Sequence, residues 1–212
     1  MNQTLALCAA LLVAAGGILA ANRLHAGGCS HYVSRKVGHI AGGLSYLTLA
    51  LWVDRWPAIS LVVGAALLMS AVRLWKPELL KGVGGTGRPH TYAEVTYALA
   101  GAASFGIGWG VFNDRWLALT PTLFMAWGDS VTGLVRSAVV KREEKHWSGS
   151  IACLAVCSLI ALLIQPFWIG LAGAVVATAV ERWTGLARGW IDDNWTIVVA
   201  SLGVMILLKA LV

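Results

Sequence analysis

The sequence predicts an all-α membrane protein, a polytopic bundle of about eight transmembrane helices with both termini on the non-cytoplasmic side. Three observations predict it. Of the 212 residues, 58% are hydrophobic and only 12% are charged, whereas soluble domains carry about a quarter charged residues. The apolar residues fall into eight segments, and the basic residues alternate between the connections that join them.

The eight hydrophobic segments account for most of the chain. They cover roughly residues 4–22, 37–53, 57–75, 93–112, 116–135, 150–164, 166–181 and 195–212. Several are near or below the ~20 residues that a full crossing needs, and the pair around Pro166 is the shortest. No basic residue precedes the first segment, so we interpret it as a retained helix and not as a signal peptide. We expect one integral-membrane domain over residues 1–212.

The basic residues predict the orientation. Thirteen of the sixteen Lys and Arg residues lie in the connections after segments one, three, five and seven. The positive-inside rule places those connections in the cytoplasm. They also hold nearly all the unusual polar residues, so any chemistry is expected on the cytoplasmic face. The net charge of +6 then reflects orientation and anionic membrane lipids, and not nucleic acid binding.

The first cytoplasmic candidate element is residues 34–43, "SRKVGHIAGG". Arg35 and Lys36 give the start of a helix a cationic face, and the unsatisfied backbone N–H groups there favour anions. The alternative is that both are anchors whose charged ends reach the interface. His39 lies inside the apolar segment, and ionisable groups at membrane depth tend to be functional.

The second candidate element, residues 81–101, begins with a Gly-rich stretch. Its backbone amides are able to cradle phosphates, but the GxxxxGK[ST] pattern of a P-loop is absent. A plain linker explains the stretch equally well. Glu94 stands at the head of segment four, where a negative charge suits a helix N-terminus. A structural and a functional role for Glu94 are both open.

The third candidate element, residues 128–150, places a carboxylate at the end of a hydrophobic segment. Gly128, which precedes Asp129, lets another backbone or a ligand approach closely. The Asp129 carboxylate and the nearby Ser130 hydroxyl are hard oxygen ligands, which suit Mg²⁺ shared with nucleotide phosphates. Lys145 and the turn Ser148–Ser150 follow, adding charge and a Ser-Gly turn. The alternative is a membrane-end Asp with basic anchors.

The fourth candidate element, residues 181–195, carries three carboxylates on a face that is otherwise positive. Asp192 is well placed to cap the last helix. That leaves Glu181 and Asp193, which together with Asp129 could hold Mg²⁺ or orient a hydroxyl.

The cysteines and tryptophans are assigned no chemistry. Cys153 and Cys157 stand four residues apart, but no further His or Cys lies near them, so we expect them to be small buried hydrophobic residues. Nine of the eleven Trp residues fall near segment ends, as in an interfacial aromatic belt.

The order of these motifs resembles that of the CTP-dependent lipid-alcohol kinases, the dolichol, phytol and diacylglycerol kinase relatives. The resemblance covers about residues 34 to 200. Three of the family's motifs fall on Arg35, Lys36 and His39; on Gly128 and Asp129; and on Lys145, Ser148, Gly149 and Ser150. Its late Glu falls on Glu181, and its Asp-Asn pair falls on Asp193 and Asn194. Ser148 stands where the family has Glu, and the family's second Gly-rich repeat is missing after "GDSVTG".

The resemblance implies transfer of the γ-phosphoryl group of CTP, with Mg²⁺, to the hydroxyl of a long-chain isoprenoid alcohol. It implies Asp129, His39, Glu181 and Asp193 as catalytic residues, with Asp129 and Asp193 on the metal. The implied nucleotide-binding residues are Arg35, Lys36, Lys145, Ser148, Gly149, Ser150, Asn194, Gly128 and Ser130. Which alcohol is used stays open, as does an oligomeric state.

Two other functions compete with the kinase. A phosphatidate cytidylyltransferase also uses CTP, but its long C-terminal signature is absent from this sequence. A small membrane transporter would carry polar residues on both faces and a two-half repeat, whereas the polar residues here gather on one face.

Overall fold

The hydrophobic segments form helices in the computed structural model, which describes residues 2–84, 92–139, 146–183 and 192–212. Within these residues no strand occurs, which confirms the all-α class. The α-helices are α1 (Gln3–Ala26), α2 (His31–Trp52), α3 (Arg55–Trp75), α4 (Ala93–Ser104), α5 (Arg115–Leu123), α6 (Asp129–Val139), α7 (Trp147–Ala161), α8 (Phe167–Trp183) and α9 (Asp193–Lys209).

Short non-α helical segments extend or join these helices. A π-helical segment, Phe105–Val111, continues α4, and a second one, Phe124–Gly128, joins α5 to α6 without a break. A 3₁₀ turn, Pro77–Leu80, follows α3. Apart from this 3₁₀ turn, the described residues form eight continuous helical stretches, and each overlaps one of the eight hydrophobic segments predicted from the sequence.

Polar residues just before the hydrophobic segments begin several helices. The Ser30 hydroxyl accepts a hydrogen bond from the Val33 amide at 3.3 Å at the start of α2. Asp114 and Asp192 cap α5 and α9 in the same way. Each cap satisfies a backbone donor that the helix leaves free, and the predicted cap at Asp192 is confirmed.

The helices pack through small residues. A Cβ atom at Gly17 of α1 would collide with the Cβ atom of Ala41 on α2, so the glycine lets the two backbones approach closely. The centre of the bundle is filled by fully buried side chains such as Phe105, Phe124 and Met125. Cys153 and Cys157 are free and buried in the same core, as expected.

The connections sort to two ends of the bundle. At one end, which we name the cluster end, the Ser34 hydroxyl donates to the Gly82 carbonyl at 2.9 Å, and Asn194 of α9 donates to the Ala93 carbonyl at 2.9 Å. At the opposite end, Arg55 donates to the Asn113 side chain at 2.7 Å. The described residues of the connections after segments one, three, five and seven thus lie at the cluster end.

Two of the described helices, α1 and α3, are long and apolar enough to cross a membrane. Only 22% and 17% of their most apolar windows are buried inside the structure. This is consistent with association with a membrane. The eight-span topology and its orientation stay predictions.

Candidate functional site

Three carboxylates from three helices converge at the cluster end. Asp129 begins α6, Glu181 lies in the last turn of α8, and Asp193 begins α9. One oxygen atom of each lies within 4.8 Å of one oxygen atom of the other two. Asp129 and Glu181 are buried and Asp193 is half-buried. Burying like charges so close together is costly unless cations compensate them.

Among the residues that the structure describes, Lys36 and Arg136 pair directly with this carboxylate cluster. Lys36 of α2 forms an ion pair with Asp129, and each side chain is 1% exposed. Nη2 of Arg136 lies 3.3 Å from Oε1 of Glu181. The same guanidinium nitrogen donates to the Tyr32 hydroxyl at 3.0 Å. Removing one partner of such a buried pair typically costs about 3–5 kcal/mol.

Arg35 adds a third positive charge. It is half-buried, and its guanidinium interacts electrostatically most strongly with Asp193 and less strongly with Asp129 and Asp192. Within the described part of the chain, its Nε atom is buried and makes no hydrogen bond. Arg35 therefore adds positive charge beside the carboxylates.

His39 follows Lys36 by three residues on the same face of α2. Its Nδ1 atom lies 3.7 Å from Oδ2 of Asp129, and the side chain is 4% exposed. Tyr97 of α4 packs against the imidazole with ring centroids 4.5 Å apart, and its hydroxyl donates to the His39 carbonyl at 3.0 Å. Among the described residues, neither ring nitrogen has a hydrogen-bond partner.

Glycine allows α2 to approach α6 at this point. A Cβ atom at Gly133 would lie 2.5 Å from the Tyr32 hydroxyl oxygen and 2.7 Å from Cε of Lys36. Any larger residue would displace these side chains from the cluster. The π-helical segment that ends at Gly128 directly precedes Asp129, and such segments are frequent at functional sites.

Gly128 and Ser130, two of the residues predicted to bind the nucleotide, make packing contacts inside the protein. A Cβ atom at Gly128 would lie 2.5 Å from Sγ of Cys157, so this glycine accommodates α7. The Ser130 hydroxyl is fully buried and donates to the Ala126 carbonyl at 2.5 Å. Their predicted contact with a nucleotide stays a prediction.

The Ser-Gly turn at the start of α7 packs behind the cluster. A Cβ atom at Gly149 would lie 2.9 Å from Cγ of Arg136. The Ser150 hydroxyl accepts from Nη1 of Arg182 at 3.3 Å. Ser148 is half-buried, and its hydroxyl lies 2.9 Å from Nδ1 of His146. Lys145 lies outside the described residues.

Asp192 and Asn194 fasten the start of α9 to α4. Oδ2 of Asp192 accepts from the Thr96 hydroxyl at 2.5 Å and from the Asn194 amide at 3.1 Å. Burial raises the pKa of Asp192 to about 6, and repulsion from Asp193 adds to the rise. Asn194 is fully buried. These contacts hold the intervening Asp193 beside Asp129 and Glu181.

The structure thus brings together most of the residues predicted as catalytic or cationic. Lys36, His39, Asp129 and Glu181 form one buried group with the half-buried Asp193, and Arg35 lies close by. Sequence reasoning missed Arg136 and Tyr32 as partners. The sequence spacing could have indicated Arg136, because a residue seven positions after Asp129 lies on the same face of a helix.

The donor set of the cluster suits Mg²⁺. Three carboxylate oxygens within 4.8 Å of one another are hard ligands. Mg²⁺ sites usually take one or two carboxylates and complete the shell with water and substrate phosphates. Asp129 and Asp193 are able to supply such ligands, and Glu181 is close enough to be a third.

Comparisons with known proteins add no assignment: no family model, no curated protein and no solved structure matches the chain. The resemblance to lipid-alcohol kinases therefore rests on the order of the motifs in this sequence.

Proposed function

We propose that the protein is an integral-membrane kinase that transfers the γ-phosphoryl group of CTP to the hydroxyl of a long-chain isoprenoid alcohol. The observation that carries the proposal is the carboxylate cluster, buried with paired cations at one end of an apolar bundle. Buried charged groups of this kind are costly. They concentrate at sites where the charge is used in chemistry.

The surface of the bundle supports a membrane location. Exposed large hydrophobic side chains are numerous, including Leu12, Leu67 and Leu68 at 72%, 65% and 62% exposure. Exposed tryptophans also stand near helix ends, as an interfacial belt requires. They include Trp52, Trp56, Trp75, Trp147, Trp168, Trp183 and Trp195. We propose eight spans, with the cluster end in the cytoplasm and both termini on the other side.

The cluster fits the demands of phosphoryl transfer. Enzymes catalyse this reaction mainly by positioning the reactants and stabilising charge on the phosphoryl oxygens. Mg²⁺ held at the cluster would supply neutralisation of part of the phosphate charge. Asp129 and Asp193 would hold it, with Glu181 beside them. Lys36 would then exchange its contact with Asp129 for a phosphate oxygen, and Arg35 would hold another.

The reaction balances without a further reactant. The alcohol oxygen attacks the γ-phosphorus atom, and the bond from that phosphorus to the β,γ-bridging oxygen breaks. CDP leaves with the bridging oxygen and the electron pair. The hydroxyl proton passes to a base at the cluster end of the bundle. The products are CDP and the alcohol monophosphate.

A labelling assay with purified protein in detergent tests this function. The protein is incubated with Mg²⁺, γ-labelled CTP or γ-labelled ATP, and a panel of phytol, geranylgeraniol, dolichol and diacylglycerol. The proposal expects label from CTP in an organic-phase monophosphate. Release of pyrophosphate from CTP and phosphatidic acid, with no labelled lipid, would instead identify a cytidylyltransferase.

A further inference from the structure

An apolar cavity of about 240 Å³ lies between α1, α2, α3 and α4. Its walls are apolar side chains such as Ala14 and Ile18 of α1, Leu49 of α2 and Met69 of α3. Along α2 it extends from Gly38 to Leu49, which corresponds to about 16 Å of helix. No chemistry described so far uses this cavity.

The cavity reaches the outer surface of the bundle. Leu11 of α1 and Leu68 of α3 line it and are also 49% and 62% exposed. Both belong to the two described helices that are long and apolar enough to cross a membrane. An apolar molecule in the surrounding bilayer would therefore have a lateral route between α1 and α3.

Polar groups stand at one end of this apolar wall. His39, Glu94 and Tyr97 are among the lining residues, and the Tyr97 hydroxyl donates a hydrogen bond to the His39 carbonyl. Oε1 of Glu94 lies 3.0 Å from Nη1 of Arg73. Within the described residues, Oε2 of Glu94 and both ring nitrogens of His39 are buried without a hydrogen bond. Such groups cost about 1–3 kcal/mol each, so a missing polar partner is indicated.

His39 connects the cavity to the carboxylate cluster. The imidazole lines the cavity, while its Nδ1 atom is 3.7 Å from Oδ2 of Asp129. A hydroxyl at the polar end of the cavity would thus be one imidazole ring away from the group that we propose as a metal ligand. At 3.7 Å the Asp129 carboxylate is beyond hydrogen-bond distance of the imidazole, but it is close enough to stabilise a positive charge on the ring.

We propose that this cavity holds the apolar chain of the acceptor alcohol, with the hydroxyl against His39 and the tail directed towards the opening between α1 and α3. The proposal rests on the proposed kinase function and assigns its acceptor site. The alcohol oxygen attacks the γ-phosphorus atom, its proton passes to the imidazole of His39, and Asp129 stabilises the resulting imidazolium. CDP leaves as described above.

The size of the cavity favours a single chain. Its 240 Å³ is below the roughly 300–1,000 Å³ typical of pockets for drug-sized ligands. A single-chain isoprenoid alcohol fits this space better than a diacylglycerol, whose two chains would both need room. The acceptor class is therefore a single-chain alcohol.

Photo-crosslinking in the absence of nucleotide tests the site directly. A diazirine-bearing geranylgeraniol is bound to the full-length protein in detergent, irradiated, and mapped by mass spectrometry. We compare wild type with Ala14→Phe and Ala65→Phe, which fill the cavity from α1 and α3. Ala155→Phe places the same ring on an exposed position of α7 outside the cavity lining.

We expect labelling of α1–α4 that unlabelled geranylgeraniol competes away. Each cavity-filling variant should lower this labelling at least about tenfold, since a few lost apolar contacts have that effect. Ala155→Phe should label like wild type. The two cavity-filling variants lie on different walls, so misfolding of one leaves the other informative. Thermal unfolding of all four proteins shows whether each variant is folded.

Two outcomes separate this proposal from the proposed function. Labelling of the cavity without phosphoryl transfer would support the binding site and overturn the kinase. Phosphoryl transfer with labels only on other helices, and with full activity of both cavity-filling variants, would overturn the acceptor site while the kinase stands. A higher KM for geranylgeraniol in both variants, with an unchanged KM for CTP, would support both.

Discussion

The two ends of the bundle each contain a lysine paired with an aspartate, yet the two pairs differ in their surroundings. At the opposite end, Lys209 pairs with Asp114, and these side chains are 31% and 22% exposed. At the cluster end, Lys36 and Asp129 are each 1% exposed. Asp129 also has Glu181 and Asp193 within 4.8 Å, whereas Asp114 has no carboxylate neighbour of this kind among the described residues.

Local structure explains the pair at the opposite end of the bundle. Asp114 caps α5, because one of its oxygens accepts from the amides of Trp116 and Leu117 at 2.9 Å each. Lys209 then neutralises the other oxygen near the solvent, where such pairs are worth about 0–1 kcal/mol. In the described part of the chain, no cap or surface contact explains the three converging carboxylates at the cluster end. The burial of these charges is the feature that function would explain.

The largest expected effect comes from removing the charge of the aspartate at each end. Asp129→Asn should lower CTP-dependent transfer at least ~10³-fold, because a metal ligand supplies several kcal/mol of transition-state stabilisation. Asp114→Asn keeps a good N-cap residue and should retain activity within about twofold. Initial rates with γ-labelled CTP and thermal unfolding of both variants measure this. Comparable losses in the two variants would remove the distinction between the ends.

His39 is expected to contribute somewhat less. His39→Gln should lower kcat about 10²-fold, since a positioned base contributes at least this much. Because glutamine keeps a polar group at the end of the cavity, photo-crosslinking by the geranylgeraniol probe should stay close to wild type. A loss of crosslinking with an unchanged kcat would show that His39 only shapes the cavity.

The lysines provide a second matched pair. Lys36→Met should reduce transfer about 10- to 100-fold, the effect of losing one hydrogen bond to a charged group. It should also lower the melting temperature, because Asp129 loses its buried counter-ion. Lys209→Met should change neither property strongly. Lys36→Arg keeps the charge and should regain part of the stability, which separates the folding effect from the effect on transfer.

A smaller effect is expected from a methyl group beside the cluster. Gly133→Ala should push on the Tyr32 hydroxyl and on Cε of Lys36 and lower transfer about tenfold through misplacement. Gly203→Ala is the control, since a Cβ atom there meets nothing within 4 Å. Equal activity of the two variants would mean that the approach of α2 to α6 is not critical.

The sequence predicts the helices and the carboxylates better than it predicts their partners. The eight hydrophobic segments reappear as helical stretches because apolar runs of this length form helices, and the loop acids Asp129, Glu181 and Asp193 do meet. The cavity between α1 and α4 depends on side-chain packing across four helices, which periodicity does not encode. Arg136 was counted only among the basic residues of a connection, because the predicted segment ended at residue 135 whereas α6 continues to Val139.

The loops show where sequence reasoning stays untested. Lys145 and most of the Gly-rich stretch lie outside the described residues, so their predicted contacts with phosphates stay predictions. Asn194, in contrast, is placed by the structure between α4 and α9. Its neighbour in sequence, Asp193, is the member of that pair that reaches the cluster.

The most direct test of the central claim is the stoichiometry of the products of the wild-type protein. Purified protein is incubated with γ-labelled CTP, geranylgeraniol and Mg²⁺, with and without a chelator, and both CDP and labelled lipid are quantified. The kinase assignment predicts equal amounts of CDP and labelled alcohol monophosphate, and neither product once the chelator removes the metal. Intact CTP with every alcohol tested, or CDP formed without labelled lipid, would contradict it.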